Sequence, residues 1–333
     1  MYSRNSELPI VGITMGDAAG IGPEIVLKAL EDKTILVASR CVIIGDASFL
    51  RKTAAGLNAT FQLTEFGEQA PNSVEVFDLA NLPEEFAIGI DAAATGKASA
   101  ENIEAAIKLW KDGKIDAIAT APISKKAIHL GGYDFPGHTE FLAELTETKE
   151  FRMSFFAEGL RTVLLSTHLP ILKAIDLIKK DNLVELIAFT NREMSKLLGR
   201  KVSIAVAGLN PHASEGGMFG GEEAAEITPA IEHCRSALGI DASGPYSPDT
   251  IFLRGFKGDF DAVIALYHDQ ATIAVKSLSF GSGVNVTLGL PVIRTSVDHG
   301  TAYDIAGKGI AEASSMVSAI KLAGELVKGS RAA

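Results

Sequence analysis

V-S-I-A-V-A-G-L-N-P-H, running from Val202 to His212, decides the fold. An apolar run of this kind, rich in valine and isoleucine, reads as a strand buried on both faces of a parallel sheet. The polar turn that follows it ends in a histidine. In open α/β sheets, ligands bind just beyond the carboxyl ends of strands. The same arrangement recurs in V-L-L-S-T-H-L-P (163–170), which carries His168, and in V-I-A-L-Y-H-D-Q (263–270), which carries His268. Neutral imidazole is the commonest protein metal ligand, so three converging histidines would form a divalent metal site. A single strand-end histidine is more simply read as unrelated to any ligand. The threefold recurrence favours the site.

Outward from these runs, short apolar stretches alternate with amphipathic ones from end to end, the pattern of an α/β fold. Strands are expected at Pro9–Thr14, Leu36–Ile44, Ser73–Leu79, Ala117–Thr120, Met153–Ala157, Thr162–Ser166, Val202–Ala207, Ala262–Leu266 and Val284–Thr287. Helices are expected at Pro23–Glu31, Ala98–Asp112, Leu183–Leu198, Glu222–Leu238 and Ser314–Val327. At 333 residues the chain has room for two lobes. No flexible linker divides them, so any division must be made by chain crossings.

Net charge of −10, from 31 basic and 41 acidic residues, argues against a nucleic-acid or anionic-membrane partner. An anionic substrate therefore needs its own local cluster of positive charge. No uncharged apolar run reaches the length of a membrane span, and the N-terminal M-Y-S-R-N-S-E-L-P lacks a signal core. Cys41 and Cys234 sit in apolar or helical surroundings, which suits reduced packing residues in a cytoplasmic protein.

Four further segments could carry chemistry. Gly16-Asp17-Ala18-Ala19-Gly20-Ile21-Gly22-Pro23-Glu24 joins a strand to a helix; it is neither a P-loop nor a G-x-G-x-x-G fingerprint. Anion approach to a helix start and a tight structural turn are both open readings of it. Gly137-His138-Thr139-Glu140 precedes a leucine-rich helix, where Thr139 could cap the helix or His138 and Thr139 could donate to a phosphate. Lys276, Asn285 and Arg294 supply a point charge, an amide and a planar fork, a trio suited to phosphate or carboxylate. Last, Asp298-His299-Gly300-Thr301-Ala302-Tyr303-Asp304-Ile305-Ala306-Gly307-Lys308-Gly309 forms a glycine-punctuated loop before the final helix.

Taken together with T-A-P-I-S-K, P-D-T and G-V-N-V-T-L-G-L-P-V-I-R-T-S-V-D-H-G-T-A, these motifs resemble the 4-hydroxythreonine-4-phosphate dehydrogenase family along essentially the whole chain. The loop H-G-T-A-Y-D-I-A-G-K-G is also similar to the cofactor loop of isocitrate and isopropylmalate dehydrogenases. The resemblance implies two α/β domains with an interdomain cleft, binding NAD or NADP without a Rossmann fingerprint. The expected division is residues 1–125 with 255–333 on the cofactor side, and 126–254 for metal, substrate and dimer contacts.

The resemblance further implies a divalent metal (zinc, magnesium or cobalt) held by His168, His212 and His268, with His268 serving the neighbouring subunit of a homodimer. His138, Thr139, Lys276, Asn285 and Arg294 would contact a phosphorylated substrate. Asp298, His299, Gly300, Thr301, Ala302 and Asp304 would hold the cofactor, and Asp249 or Lys276 would act as base. The implied reaction is oxidation of the C3 hydroxyl of a 4-phosphooxy-L-threonine-type acid, then decarboxylation, as in pyridoxal phosphate biosynthesis. Alternatives are the same chemistry on 4-phospho-D-threonate or 4-phospho-D-erythronate, or a non-catalytic phosphometabolite-binding protein. Ala18, Ser214, Ala271 and Ala274 depart from the family's usual proline, glycine, glycine and proline.

Overall fold

A computed structural model of the chain describes residues 8–279 and 282–331. Most of the N-terminal stretch read for a signal core, residues 1–7, lies outside them. The first five strands are β1 (Ile10–Thr14), β2 (Arg40–Gly45), β3 (Gln62–Glu65), β4 (Ser73–Asp78) and β5 (Ala117–Thr120). Six more follow: β6 (Arg152–Ala157), β7 (Leu160–Leu164), β8 (Ile204–Ala207), β9 (Ala242–Tyr246), β10 (Ala262–Ala265) and β11 (Val284–Leu288). β12 (Ile293–Ser296) precedes the last loop and helix. The expected α/β architecture is borne out.

The chain divides into two compact units. One comprises the chain up to Phe151 together with Leu290–Lys328; the other comprises Arg152–Gly289 and the chain from Gly329. These crossings fall at 151 and 289, where the expected ones were at 125 and 254. The physical reason is pairing: β10 lies in parallel register between β7 and β8, and β11 pairs antiparallel with β6. Residues 262–288 are therefore built into the second unit.

In the first unit the strands run β3-β4-β2-β1-β5-β12, all parallel. Alternate side chains serve opposite faces, as the pleat requires. Val11, Ile13, Ile43, Ala117 and Ala119 join one buried cluster, while Ile44 and Ile118 join another with Ile103 and Phe141. Both faces are therefore covered by helices, which explains the continuous apolar runs. In the second unit the order is β11-β6-β7-β10-β8-β9, with Leu164, Ala205, Ala207, Val263 and Ala265 in one core cluster.

Three strands were not expected from the sequence. β3 (Q-L-T-E) and β9 (A-S-G-P-Y) are edge strands, flanked on one side only, so neither needs an apolar run. An edge also tolerates Pro245, which has no ladder donor. In β12 the sequence shows only an apolar setting for Arg294. The expected strand from Leu36 is corrected: Lys33–Ala38 is a helix started by Asp32, whose carboxylate accepts from Thr34 N at 2.9 Å, and β2 begins at Arg40. The expected helix Glu222–Leu238 opens with a wide turn at Glu223–Ile227 before the helix Thr228–Ser236. Pro229 offers no N–H to a regular first turn, which accounts for the widening. Cys41 and Cys234 are free and buried, and burial pushes their thiols up to about 12 and about 11.

Candidate functional site

In the second unit, His168 follows β7, His268 follows β10 and His212 follows β8. Because β10 lies parallel between the other two, all three histidines stand at the carboxyl edge of adjacent strands. Two buried side chains staple that edge. Ser166 Oγ donates to Leu266 O at 3.1 Å, linking the ends of β7 and β10. Gln270 links β10 to β8: its Oε1 accepts from Leu266 N at 2.7 Å and its Nε2 donates to Gly208 O at 2.8 Å.

The imidazoles are not equally placed. His168 and His268 have ring centroids 5.6 Å apart. His268 Nδ1 lies 2.8 Å from Asp269 Oδ1, so a carboxylate can orient that ring and leave Nε2 as its other nitrogen. The His212 ring packs instead 6.4 Å from Phe219. Among the described residues of this single chain, no three His, Cys, Asp or Glu side chains gather closely enough to hold a metal.

His212 stands in a backbone turn of unusual cost. His212, Ala213, Ser214 and Glu215 have φ of 54°, 51°, 71° and 44°, all left-handed and none glycine. Each such residue costs roughly 1–2 kcal/mol. The loop is held by the buried Glu223 carboxylate, which accepts from Leu209 N at 2.8 Å, Asn210 N at 2.7 Å and Asn210 Nδ2 at 2.8 Å. Hydrogen bonds to a charge contribute about 1.5–3 kcal/mol each, enough to offset that strain. Ser214 Oγ closes the turn on Gly220 O.

Of the other residues expected on this unit, Asn285 lies on β11 with a buried Oδ1 that has no hydrogen-bond partner within the protein. Lys276 is exposed on the helix His268–Ser279. Asp249 is exposed in the first turn of Pro248–Phe256, where it accepts from Ser247 Oγ, and these two helices pack together.

The first unit carries the rest. Arg294 is 3% exposed on β12, and its Nη2 and Nε donate to Thr120 Oγ1 at 2.8 and 3.2 Å. Burial pulls its guanidinium down to about 10, with Glu140 opposing. His138 begins the helix His138–Leu145. Burial, and secondarily Arg294, holds its imidazole well below the ordinary histidine range. Its Nε2 is buried with no hydrogen-bond partner within the protein. Thr139 is the second residue of that helix and Gly137 holds the cap position without a side-chain bond, so the capping reading of Thr139 is not what the structure shows.

The loop from Asp298 to Gly309 leaves the carboxyl end of β12 and precedes the final helix, with His299, Gly300 and Asp304 exposed and Thr301 and Ala302 half-buried. A cavity of about 860 Å³ borders its residues Gly307, Lys308 and Gly309, with Phe49, Leu57 and Phe86 on its wall. The G-D-A-A-G-I-G-P-E turn meets this loop rather than open space. A Cβ on Gly20 would lie 2.8 Å from Thr301 O, and Ile21 N donates to that same oxygen at 3.0 Å. Tyr303 Oη donates to the buried Asp17 at 2.7 Å, and burial pushes the phenol far up. The structure thus favours the structural reading of that motif. Thr120, Ser166, Glu223, Asp269 and Gln270 were missed as functional support, because their roles are contacts made across strands and turns.

These geometries define a class: a two-unit α/β protein with a buried arginine beside an imidazole in one unit and histidines along a parallel-strand edge in the other. The model of the family described as pyridoxal phosphate biosynthetic protein PdxA matches residues 37–323, and the chain belongs to that family. It is 44% identical to the D-threonate 4-phosphate dehydrogenase of Cupriavidus necator, over 96% of this chain and 97% of that protein. It is 42% identical to the 4-hydroxythreonine-4-phosphate dehydrogenase of Desulforapulum autotrophicum, over 95% and 94%. The crystal structure of a 4-hydroxythreonine-4-phosphate dehydrogenase from Burkholderia phymatum superposes with a TM-score of 0.85 at 42% identity, covering 96% of this chain and 99% of that one.

Proposed function

We propose that the chain oxidises the C3 hydroxyl of a 4-phosphorylated four-carbon hydroxy acid of the 4-phosphooxy-L-threonine type with NAD or NADP, and that the 3-oxo acid then loses carbon dioxide, as in pyridoxal phosphate biosynthesis. The observation that carries this reading is the buried Arg294 beside His138, whose Nε2 has no partner in the protein. A buried polar atom without a hydrogen bond costs about 1–3 kcal/mol, which an anionic substrate group would recover. Arg294 offers a planar fork to a phosphate or carboxylate, and a neutral His138 can donate from Nε2 without adding charge. Thr139 joins them as a substrate contact. On the second unit, Lys276 and Asn285 are the proposed substrate contacts.

Relatives named dehydrogenases imply a nicotinamide cofactor, which we place on Asp298, His299, Gly300, Thr301, Ala302 and Asp304. A bound nicotinamide would supply the hydride acceptor for C3, and Asp249 or Lys276 would take the hydroxyl proton. Orientation of C3 by groups that grip the substrate's two ends is the main contribution asked of the protein.

His168, His212 and His268 would hold a divalent zinc, magnesium or cobalt ion. Two imidazoles sharing a tetrahedral ion, with nitrogens about 2.1 Å from it, have ring centres roughly 5–6 Å apart. The spacing of His168 and His268, 5.6 Å, fits that donor set. Such an ion supplies Lewis acidity toward the C3 oxygen. A single chain does not gather all three imidazoles, so a second copy would complete the set; the resemblance gives that part to His268, whereas the pairing of His168 with His268 within one chain favours His212 for it. Support for a homodimer comes from the apolar side chains beside the histidines. Leu169, Ile171 and Leu172 are 47, 52 and 74% exposed, Met218 and Phe219 are 76 and 45%, and Ile273 is 66%. Exposed apolar groups clustered in this way mark an association surface.

A second reading, the same chemistry on 4-phospho-D-threonate, is favoured by the 44% identity to a protein of that name. The two substrates differ at C2, amino against hydroxyl. A panel of both acids with both cofactors separates them. Replacing His212 by Ala should abolish metal-dependent reduction of the cofactor, and full activity after chelation would refute the metal role. Failure of metal-loaded protein with every phosphorylated hydroxy acid would leave a non-catalytic binding protein.

A further inference from the structure

Glu24 and Lys28, one turn apart on the helix Gly22–Ala29, together satisfy both backbone polar groups of Gly309 and of Ala311. Lys28 Nζ donates to Gly309 O at 2.9 Å, to Ala311 O at 2.8 Å and to Glu24 Oε1 at 2.8 Å. An ammonium has three protons, and each has one acceptor here. The Glu24 carboxylate completes the set: Oε1 accepts from Ala311 N at 2.7 Å and Oε2 from Gly309 N at 3.2 Å. Glu24 is 4% exposed, so these bonds form where water competes little. A neighbouring strand would meet the same four backbone groups. The loop needs such a substitute, because Gly307 and Gly309 have φ of 72° and 69° and the segment forms no ladder of its own.

We propose that Glu24 and Lys28 are positioning residues for the nicotinamide cofactor, acting as a clasp that fixes the carboxyl end of the loop Asp298–Gly309. With the bonds from Ile21 N to Thr301 O and from Tyr303 Oη to Asp17, the clasp anchors the loop at three points along the G-D-A-A-G-I-G-P-E motif. The motif thus serves the cofactor indirectly, by shaping the backbone on which the dinucleotide rests. The proposal rests on the reading of this loop as the cofactor site, and its test keeps the two apart.

Amide hydrogen exchange on the cofactor-free protein reads the clasp alone. Lys28→Met should speed exchange at Gly309 and Ala311 at least about tenfold, since two carbonyls and a carboxylate lose their donor. Steady-state kinetics read the consequence: KM for the dinucleotide should rise about tenfold, with kcat and the KM for the phosphorylated acid held within about twofold. Glu24→Gln keeps one acceptor and should shift both readouts the same way by less, which covers the case in which Lys28→Met folds poorly. Unchanged exchange in both variants would overturn the clasp. Faster exchange with an unchanged dinucleotide KM would keep the clasp but remove the loop from cofactor binding, overturning the positioning role. A parallel fall in kcat and in thermal stability, with no selective change in dinucleotide KM, would reduce the pair to scaffolding.

Discussion

Arg294 and His138 show what single residues contribute. Arg294 is a fork held by Thr120, so lysine there keeps the charge but loses bidentate geometry. Arg294→Lys should raise KM for the phosphorylated acid about 100-fold or more, with dinucleotide KM little changed, as read from initial rates with each substrate varied in turn. His138 also predicts a pH dependence. Its folded-state pKa is depressed, so the unfolded chain, titrating near 6.5, binds a proton that the folded chain refuses. Stability from this residue is present above about pH 6.5 and is lost as pH falls below it. His138→Gln should flatten the decline of melting temperature between about pH 6.5 and 5; an unaltered slope would show that His138 is not the group responsible. The residue types at both positions were legible in the sequence. That Nε2 of His138 is buried without a partner was not, since burial depends on neighbours far along the chain.

At the scale of elements, the strand runs that end in His168, His212 and His268 were legible because parallel strands covered on both faces must be apolar throughout. The edge strands β3 and β9 were not, since one flank of each lies free of the sheet and carries no such demand. The staples that align the strand ends also escaped the sequence, because Gln270 and Ser166 gain meaning only when β8, β10 and β7 become neighbours. Gln270→Leu leaves Leu266 N and Gly208 O unsatisfied and should cost about 2–4 kcal/mol in urea unfolding, with metal affinity falling in parallel. In the turn after β8, Ser214 stands at φ 71° where the family usually has glycine. Ser214→Gly removes left-handed strain but also the bond to Gly220 O, and the two effects should nearly cancel, leaving stability within about 1 kcal/mol of the parent by the same measurement.

For the whole molecule, the proposed contacts are drawn from both units, and the proposed homodimer rests on the exposed apolar side chains near the histidines. Leu172, 74% exposed, is a test position outside the proposed metal and substrate contacts. Leu172→Asp should shift the chain toward monomer in sedimentation, and metal-dependent activity should fall as the protein is diluted. A monomer with full specific activity would end the shared-site reading.

Sequence alone determined the α/β class, the three histidines at strand ends and the family, because apolar periodicity and contiguous motifs are local properties written along the chain. The tertiary structure decided the rest: that β10 brings His268 beside His168, that the second unit begins at Arg152, and that the glycine motif at residues 16–24 grips a loop some 285 positions away. Each of these depends on strand order and packing, which link residues that no local pattern connects.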